Sequence, residues 1–586
     1  MDDARLRTPY VLLTRLFLRQ FLENDLISPE ADRTQLLAVV GALSMSLTLF
    51  ISAMMSAGYI GPLMTPGMAA VLSLDDKFFY LSLAMVFTAL VAASQWDVLA
   101  IDPRDAAILE PLPVKAGTIR RAKVSAIAIL GGAVACSLNA FPSLVFPWML
   151  VFNFRQMSGF ALVGLVVVHA LVTVAAAAFG YLVVIALRET LVAVLGRRGF
   201  TVASPWAQGT LIVLLGSAVL LIPVAADRIG QRGFEGWRAM SPPMWFLGAY
   251  EVAVGHVIAD LPRTEMRPRQ AATDLAMTEL YRDRRREFPA IARRAAAAIS
   301  VVFLVAAAAY LWNARRVTAL APSAPPSSRR GWPLGARLAT AWLVRDSAAR
   351  AGFYFTLAAM FRSNNHRLTL VCAAAAGFAM ALVAVSNANA HEGAGPSARL
   401  LVMQPLLYGA LLVGFRHVIR VPAELRANWG FQLAWRDRTR AFVAGVRRAA
   451  LIGLVLPAVA ILLPFDMFVM GPPLALVHAG LGLAGGIVLL EALMVNYDKV
   501  PFTCTYLPSE NMKALAPIYA IAFVIGAVNF AGMQNSALQS GNPTWVLATL
   551  AATWVILRVM SVKRGRLPSV EFDEAPATYQ QLGLNS

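Results

Sequence analysis

About twelve runs of roughly 20 apolar residues recur along the chain, and no other feature restricts its fold as strongly. In a hydrocarbon layer about 30 Å thick a backbone must satisfy its own hydrogen bonds, so each run that crosses the layer becomes a helix. The runs lie at about 36–57, 78–96, 124–150, 159–187, 208–226 and 295–313, then at about 368–386, 399–415, 449–471, 473–495, 514–532 and 543–561. A content of 58% hydrophobic and 14% charged residues, with mean hydropathy +0.62, lies outside the range of soluble globular domains. The expected fold class is an all-α polytopic membrane protein with about twelve transmembrane helices in two six-helix halves, accompanied by interfacial and re-entrant helices.

The stretch "VTALAPSAPPSSRRGWPLGARL" cannot span a bilayer and reads as a linker. The organisation expected is a cytosolic interfacial amphipathic helix in 1–35, a first membrane half in 36–316, a linker in 317–338, a second half in 339–562 led by its own amphipathic helix, and a cytosolic tail in 563–586. In the N-terminal segment Leu12, Leu13, Leu16, Phe17 and Phe21 recur at helical spacing with Arg15 and Arg19 between them. That pattern suits a helix on a membrane surface or one packed on neighbouring protein, and not a signal peptide.

The formal charge of +18 comes from short clusters of Lys and Arg beside apolar runs. Anionic headgroups attract each such residue by roughly 1 kcal/mol, so membrane lipid is the expected partner; no pattern points to nucleic acid. Basic loops mark the cytoplasmic side. The loops around 102–123, 188–198 and 416–448, the linker and the tail are basic, whereas "NANAHEGAGPSA" and "GMQNSALQSGNPT" lack Lys and Arg, which puts both termini inside. Residues 227–294 fall outside by alternation despite a dozen arginines. Within them "SPPMWFLGAYEVAVGHVI" is apolar but short, as expected of a re-entrant helix.

One polar segment between two apolar runs is unusually structured: "DPRDAAILEPLPVKAGTIRRAK", residues 102–123. Asp102 suits an N-cap, Pro103 the first helical position, and Asp105 adds negative charge to the first turn. Pro111 and Pro113 stop the helix after about eight residues, some ~12 Å. So short a helix must dock on something. Asp102, Arg104, Asp105 and Glu110 would each cost roughly 2.5–3.5 kcal/mol at a bilayer centre, so the dock is protein or headgroup. Ile108, Leu109 and Leu112 offer a small apolar contact.

This segment resembles the cytosolic region of type-2 ATP-binding cassette (ABC) exporter permeases, in which an acidic "D…LL.LPV" stretch precedes a basic helix entering the third span. The layout is similar too: an amphipathic N-terminal helix, six spans per half, and a re-entrant piece between the fifth and sixth. "VPAELRANW" and "KVPFTCTYLP" resemble stretches of long bacterial permeases of this kind. The resemblance implies that Asp102, Pro103, Arg104, Asp105, Leu109, Glu110, Leu112 and Pro113 contact an ATPase. It suggests a second coupling set of Pro422, Glu424, Arg426, Asn428, Trp429, Pro501, Tyr506 and Pro508. It also implies a bacterial cytoplasmic membrane and an exported substrate that the sequence leaves unidentified. The second half has no close copy of "ILEPLPV", so a fused pseudo-dimer and a single unit with an extension both stay open.

The chain has no GxxxxGK[ST] stretch, so ATP would be bound and hydrolysed by a separate P-loop ATPase, and no cofactor is expected on this chain. Cys136, Cys372 and Cys504 stand apart, without metal-ligand or disulfide spacing. "GLGLAG" at Gly480, Gly482 and Gly485 lies in an apolar run and suits close helix packing. His169 and His478 are expected to be hydrogen-bonded packing residues, and Asn139 and Asn529 could bond between helices. Two other functions remain to be weighed. A multispan enzyme acting on a lipid-linked substrate would use "EMRPRQ" and "YRDRRRE" as anion contacts. An ion-coupled carrier would use Asp466 and Glu491.

Overall fold

The computed structural model describes residues 9–22, 51–52, 55, 57–59, 64–96, 99, 114–152, 159–227, 229–232, 237–257, 268–317, 344–386, 391–392, 395–396, 398–422, 428–429, 438–495, 500–503 and 510–564. The protein is an all-α polytopic membrane protein, with one two-residue antiparallel ladder, His391–Glu392 with Gly395–Pro396, among the described residues. Eleven described helices are long and apolar enough to cross a bilayer: Pro66–Ser94, Gly117–Leu150, Gly159–Gly196, Ala203–Pro223, Phe288–Asn313, His366–Val385, Arg399–Val418, Thr439–Met470, Pro472–Met494, Ile521–Ser540 and Thr544–Ser561. The apolar run at 36–57, the linker at 317–338 and the tail lie almost wholly outside the described residues. The chain forms two compact units, Met1–Pro326 and Ser327–Ser586.

The first unit contains α1 (Pro9–Leu22), α2 (Pro66–Ser94), α3 (Ala116–Phe152), α4 (Gly159–Ala226), α5 (Pro242–Val257), α6 (Pro268–Arg285) and α7 (Phe288–Val317). Helix α2 is the hub, packed against α3, α4, α5 and α6. Its surface of Ala69, Ala70, Ala84, Ala89, Ala92 and Ala93 lets neighbours approach, and Thr88 Oγ1 donates to the Ala177 carbonyl of α4 at 2.8 Å.

Helix α2 begins well before the apolar run expected at 78–96, with Thr65 as N-cap and Pro66 in the first turn. It thereby takes Asp75, Asp76 and Lys77 into the helix. The apolar ruler excluded these charges, but each finds a partner within the unit, which removes the objection to burying them.

A second correction concerns 188–198, expected to be a basic loop between two spans. It is helical on both sides of a break at Gly196, with φ 65° and ψ 174°: α4 is two helices, and Arg188 belongs to the first. Only glycine adopts that backbone easily, so the bend is written at one residue. In α1, Leu13, Thr14 and Phe17 are buried while Leu12 and Leu16 are exposed. The helix packs on α3 through one face and leaves apolar residues on the other. Both readings of this amphipathic segment therefore hold in part.

The second unit contains α8 (Ser347–Arg362), α9 (Asn364–Ser386), α10 (Met403–Val418), α11 (Thr439–Ala450), α12 (Leu456–Met470), α13 (Pro472–Met494), α14 (Glu510–Ser540) and α15 (Thr544–Arg564). Asp346 caps α8, accepting from Ala348 N at 2.8 Å and Ala349 N at 3.0 Å. Those bonds, the Ala349 one foremost, and the Arg438 charge hold its carboxyl below the usual range. Helices α8 and α11 cross on reciprocal glycines: a Cβ at Gly352 would strike the Phe442 carbonyl, and one at Gly445 the Ala349 carbonyl. A π segment, Leu451–Val455, joins α11 to α12. Pro457 follows directly and cannot donate to the carbonyl four residues back, so the ladder is already irregular there.

Asn139 and Asn529 do not bond between helices. Each donates to the carbonyl four residues earlier in its own helix, Ala135 at 2.7 Å and Ile525 at 2.9 Å, which satisfies the amide donor without a neighbour.

Gly445→Val is expected to destabilise the second unit by about 3 kcal/mol, the upper end for overpacking, because the obstacle is backbone that cannot rotate away. Thermal unfolding of detergent-purified protein measures this.

Candidate functional site: anchored loop roots at one end of each unit

The segment Asp102, Pro103, Arg104, Asp105, Leu109, Glu110, Leu112 and Pro113 lies outside the described residues, but the structure describes where it is rooted. At the end of α2 the last carbonyls would lack helical partners. Gln208 Nε2 donates to the Ala93 carbonyl at 3.0 Å, and Arg188 Nε to the Trp96 carbonyl at 2.7 Å. The fully buried Trp96 indole donates to Ser204 Oγ at 2.9 Å. The Arg188 guanidinium pairs with Glu189, whose own carbonyl and Oε2 accept from Asn313 Nδ2 of α7 at 2.9 and 2.8 Å. Helices α2, α4 and α7 are thus joined six residues before Asp102. On the return side Lys115 accepts from Thr118 N at 2.8 Å as α3 begins. Helix α1 docks there: Tyr10 and Ser125 hydroxyls bond at 2.7 Å, and Lys123 Nζ sits 4.7 Å from the Phe17 ring centroid.

Of the second coupling set, Glu424, Arg426, Tyr506 and Pro508 lie outside the described residues. Asn428 and the Pro501 turn, remote in sequence, meet in space. Asn428 Nδ2 donates to the Thr503 carbonyl at 2.6 Å, and Phe502 N to the Ile419 carbonyl at 2.9 Å. The loop after α10 is therefore fastened to the loop after α13. Phe502 has φ 66°, a region that bulky residues avoid, and its ring is held against Phe355 and His366. His366 Nε2 lies 3.0 Å from the Val421 carbonyl and Nδ1 lies 2.6 Å from Ser363 Oγ. A carbonyl only accepts, so Nε2 carries the proton and Nδ1 accepts from the hydroxyl. Pro422 is half-buried, whereas Trp429, next to the buried Asn428, is 66% exposed. Sequence reading did not single out His366, Ser363 or Phe502; only Phe502 falls in a quoted stretch, "KVPFTCTYLP". Glu491, weighed as an ion-coupling residue, is held at this same end of α13 by Arg447 at 3.4 Å and Arg558 at 3.6 Å.

The other end of the first unit is organised differently. Lys77 Nζ and Glu251 Oε1 are 2.5 Å apart, both buried, and Tyr281 OH donates to Glu251 Oε2 at 2.5 Å. Lys77 also lies 5.0 Å from the Tyr250 ring centroid, and the Tyr250 hydroxyl is 3.1 Å from His169 Nδ1. Burial first, then the Glu251 charge, pushes the Tyr281 phenol well up, so it serves as a neutral donor. The same holds for Tyr59 beside Asp76. Asp75 accepts from Gly230 N at 2.8 Å and Asp274 from Gly67 N at 2.6 Å. The short apolar helix expected to be re-entrant, α5, is thus packed against α2, α4 and α7 and clamped through Glu251. In "YRDRRRE", Arg284 reaches Glu287 and Arg286 reaches Asp283, each at 3.7 Å. These arginines answer acids three residues away, at the end of α6 and in the turn that follows it.

No protein family, curated protein or solved structure matches the chain.

Asn428→Leu is expected to cost about 1–3 kcal/mol locally, because the Thr503 carbonyl stays buried without its donor. Hydrogen exchange should accelerate at Phe502 and Thr503 and not in the helices. Lys77→Met should lower global stability by about 3–5 kcal/mol by stranding Glu251. Adding Glu251→Gln should recover part of this, since a carboxamide still accepts from Tyr281; thermal unfolding of the single and double variants checks both.

Proposed function

We propose that the chain is the membrane-spanning permease subunit of an ATP-driven exporter in a bacterial cytoplasmic membrane. Its cytosolic loops would couple a separately encoded P-loop ATPase to alternating access. The observation that carries this reading is the stiffness of the loop roots. A loop that merely connects two spans needs no tie to its surroundings. Here Trp96 is fixed by Arg188 and Ser204 just before the Asp102–Pro113 segment, and Asn428 ties two sequence-distant loops beside an exposed Trp429. Force applied to such a segment would arrive at anchors shared with α2, α4 and α7 in the first unit and with the chain after α10 and α13 in the second. The ATPase's unequal affinity for two arrangements of these helices would supply the bias. ATP is assigned to the partner because this chain has no phosphate-cradling motif.

A second reading, an ion-coupled carrier, is favoured by one observation: Asp466 and His478 face each other 3.8 Å apart inside the second unit. The lipid-modifying enzyme has less support, since two of the arginines it would use, Arg284 and Arg286, lie beside neighbouring acids.

Asp102→Ala with Asp105→Ala should reduce recovery of the P-loop ATPase with the tagged permease at least tenfold while leaving its thermal unfolding unchanged, and Trp429→Ala should do so more weakly. Unchanged co-purification together with unchanged export would dispose of the coupling role.

A further inference from the structure

Buried polar atoms in a bilayer-spanning bundle are almost always hydrogen-bonded, so a cluster of unpartnered ones asks for a missing ligand. The second unit contains such a cluster. Asp466 Oδ2, His478 Nδ1 and both amide atoms of Gln404 and of Gln534 are buried without a hydrogen-bond partner. These side chains are hardly exposed at all: Gln404 1%, Asp466 5%, His478 1% and Gln534 0%.

They come from four helices that pack on one another. Helix α10 touches α12, α13 and α14, and α13 touches α12 and α14. They also share one depth. Asp466 lies four residues from the end of α12, and Gln534 six from the end of α14. His478 lies six residues into α13, and Gln404 six beyond Ala398, where the helical turn preceding α10 begins. At 1.5 Å per residue, all four sit about 6–9 Å below the same end of the bundle, opposite the Asn428–Thr503 loops. One direct link and one close approach relate three of the four, and Gln534 joins them by its depth and by the packing of α14 on α10 and α13. His478 Nε2 is 3.8 Å from Asp466 Oδ2, and the Gln404 carboxamide lies over Gly482, one turn beyond His478, where any side chain would collide with it.

Acceptors outnumber donors in the set, the two glutamine amide nitrogens being its only other unpartnered atoms. A separation of 3.8 Å is longer than a hydrogen bond, but it directs the Nε2 proton of His478 at the carboxylate and leaves Nδ1 as a lone pair. Asp466 Oδ2, His478 Nδ1 and the Gln404 and Gln534 carbonyl oxygens are then four acceptors. With a neutral imidazole and Asp466 ionised, the set has one negative charge. We infer that Gln404, Asp466, His478 and Gln534 form an intramembrane binding site for a small monovalent cation, either an alkali ion or a protonated primary amine. This goes beyond the exporter reading and does not depend on it, because the site belongs to this chain alone and lies at the end of the unit away from the coupling loops.

The test uses the full chain, purified in detergent without any ATPase. Thermal unfolding is followed in N-methyl-D-glucamine chloride exchanged at constant ionic strength for sodium, potassium or methylammonium chloride. A ligand that binds only the folded state raises Tm in a saturable way. At least one of the three should do so, and which one separates the alkali ion from the amine. Asp466→Asn and Gln534→Leu should each weaken the apparent affinity at least tenfold. Gln534→Leu replaces an unsatisfied amide by an apolar group of similar size, so it keeps the fold even where the Asp466 variant does not. A flat response to all three salts in the unmodified chain, or a saturable response unchanged in Gln534→Leu, would overturn the inference.

Discussion

Charge inside hydrocarbon is too costly to leave alone, and both units are organised around the points where that cost is met by a partner on another helix. In the first unit Lys77 and Glu251 bind α5 to the hub α2, and Arg188, Glu189 and Asn313 bind α4 to α7 and to the end of α2. In the second, Glu491 gathers Arg447 and Arg558. Apolar side chains give little direction to helix association in lipid, since lipid tails satisfy them equally well. The paired charges and the close approaches at small residues therefore set which faces meet.

This logic gives the loop ends their character. The partnered groups at Trp96 and at Asn428 lie where helices give way to polar segments, and each fixes the direction in which the chain leaves the bundle. The polar set around Asp466 is the opposite case: four mutually packed helices carry buried polar atoms that no side chain answers. One unit thus holds a satisfied polar cluster that stiffens a loop and an unsatisfied one that suits a ligand.

Much of the architecture was legible in the residues. Apolar run lengths located the spans, Pro242 and Pro243 marked the start of a short apolar helix, and helical spacing in "YVLLTRLFLRQFL" marked α1. Two of the three glycines of "GLGLAG" were legible as packing positions, Gly482 under Gln404 and Gly485 against Phe530 and Tyr408, whereas Gly480 has nothing within 4 Å. Run length could not reveal that α2 starts at Pro66, because a ruler that rejects charge has no way to know that Lys77 meets Glu251 174 positions later. For the same reason the basic stretch at Arg188 read as a loop, when its guanidinium is buried against Trp96 and Glu189.

Local sequence determined the class of molecule, since a hydrocarbon layer leaves an apolar run of sufficient length only the helix. It also supplied the N-cap, the prolines and the charge pattern of 102–113, since these act over one or two turns. Partnership was settled at the level of the folded chain: Asn428 with Thr503, His366 with Val421, and Gln404 beside Gly482. Those contacts join residues tens of positions apart, and their energies depend on burial and distance, which exist only once the helices have packed.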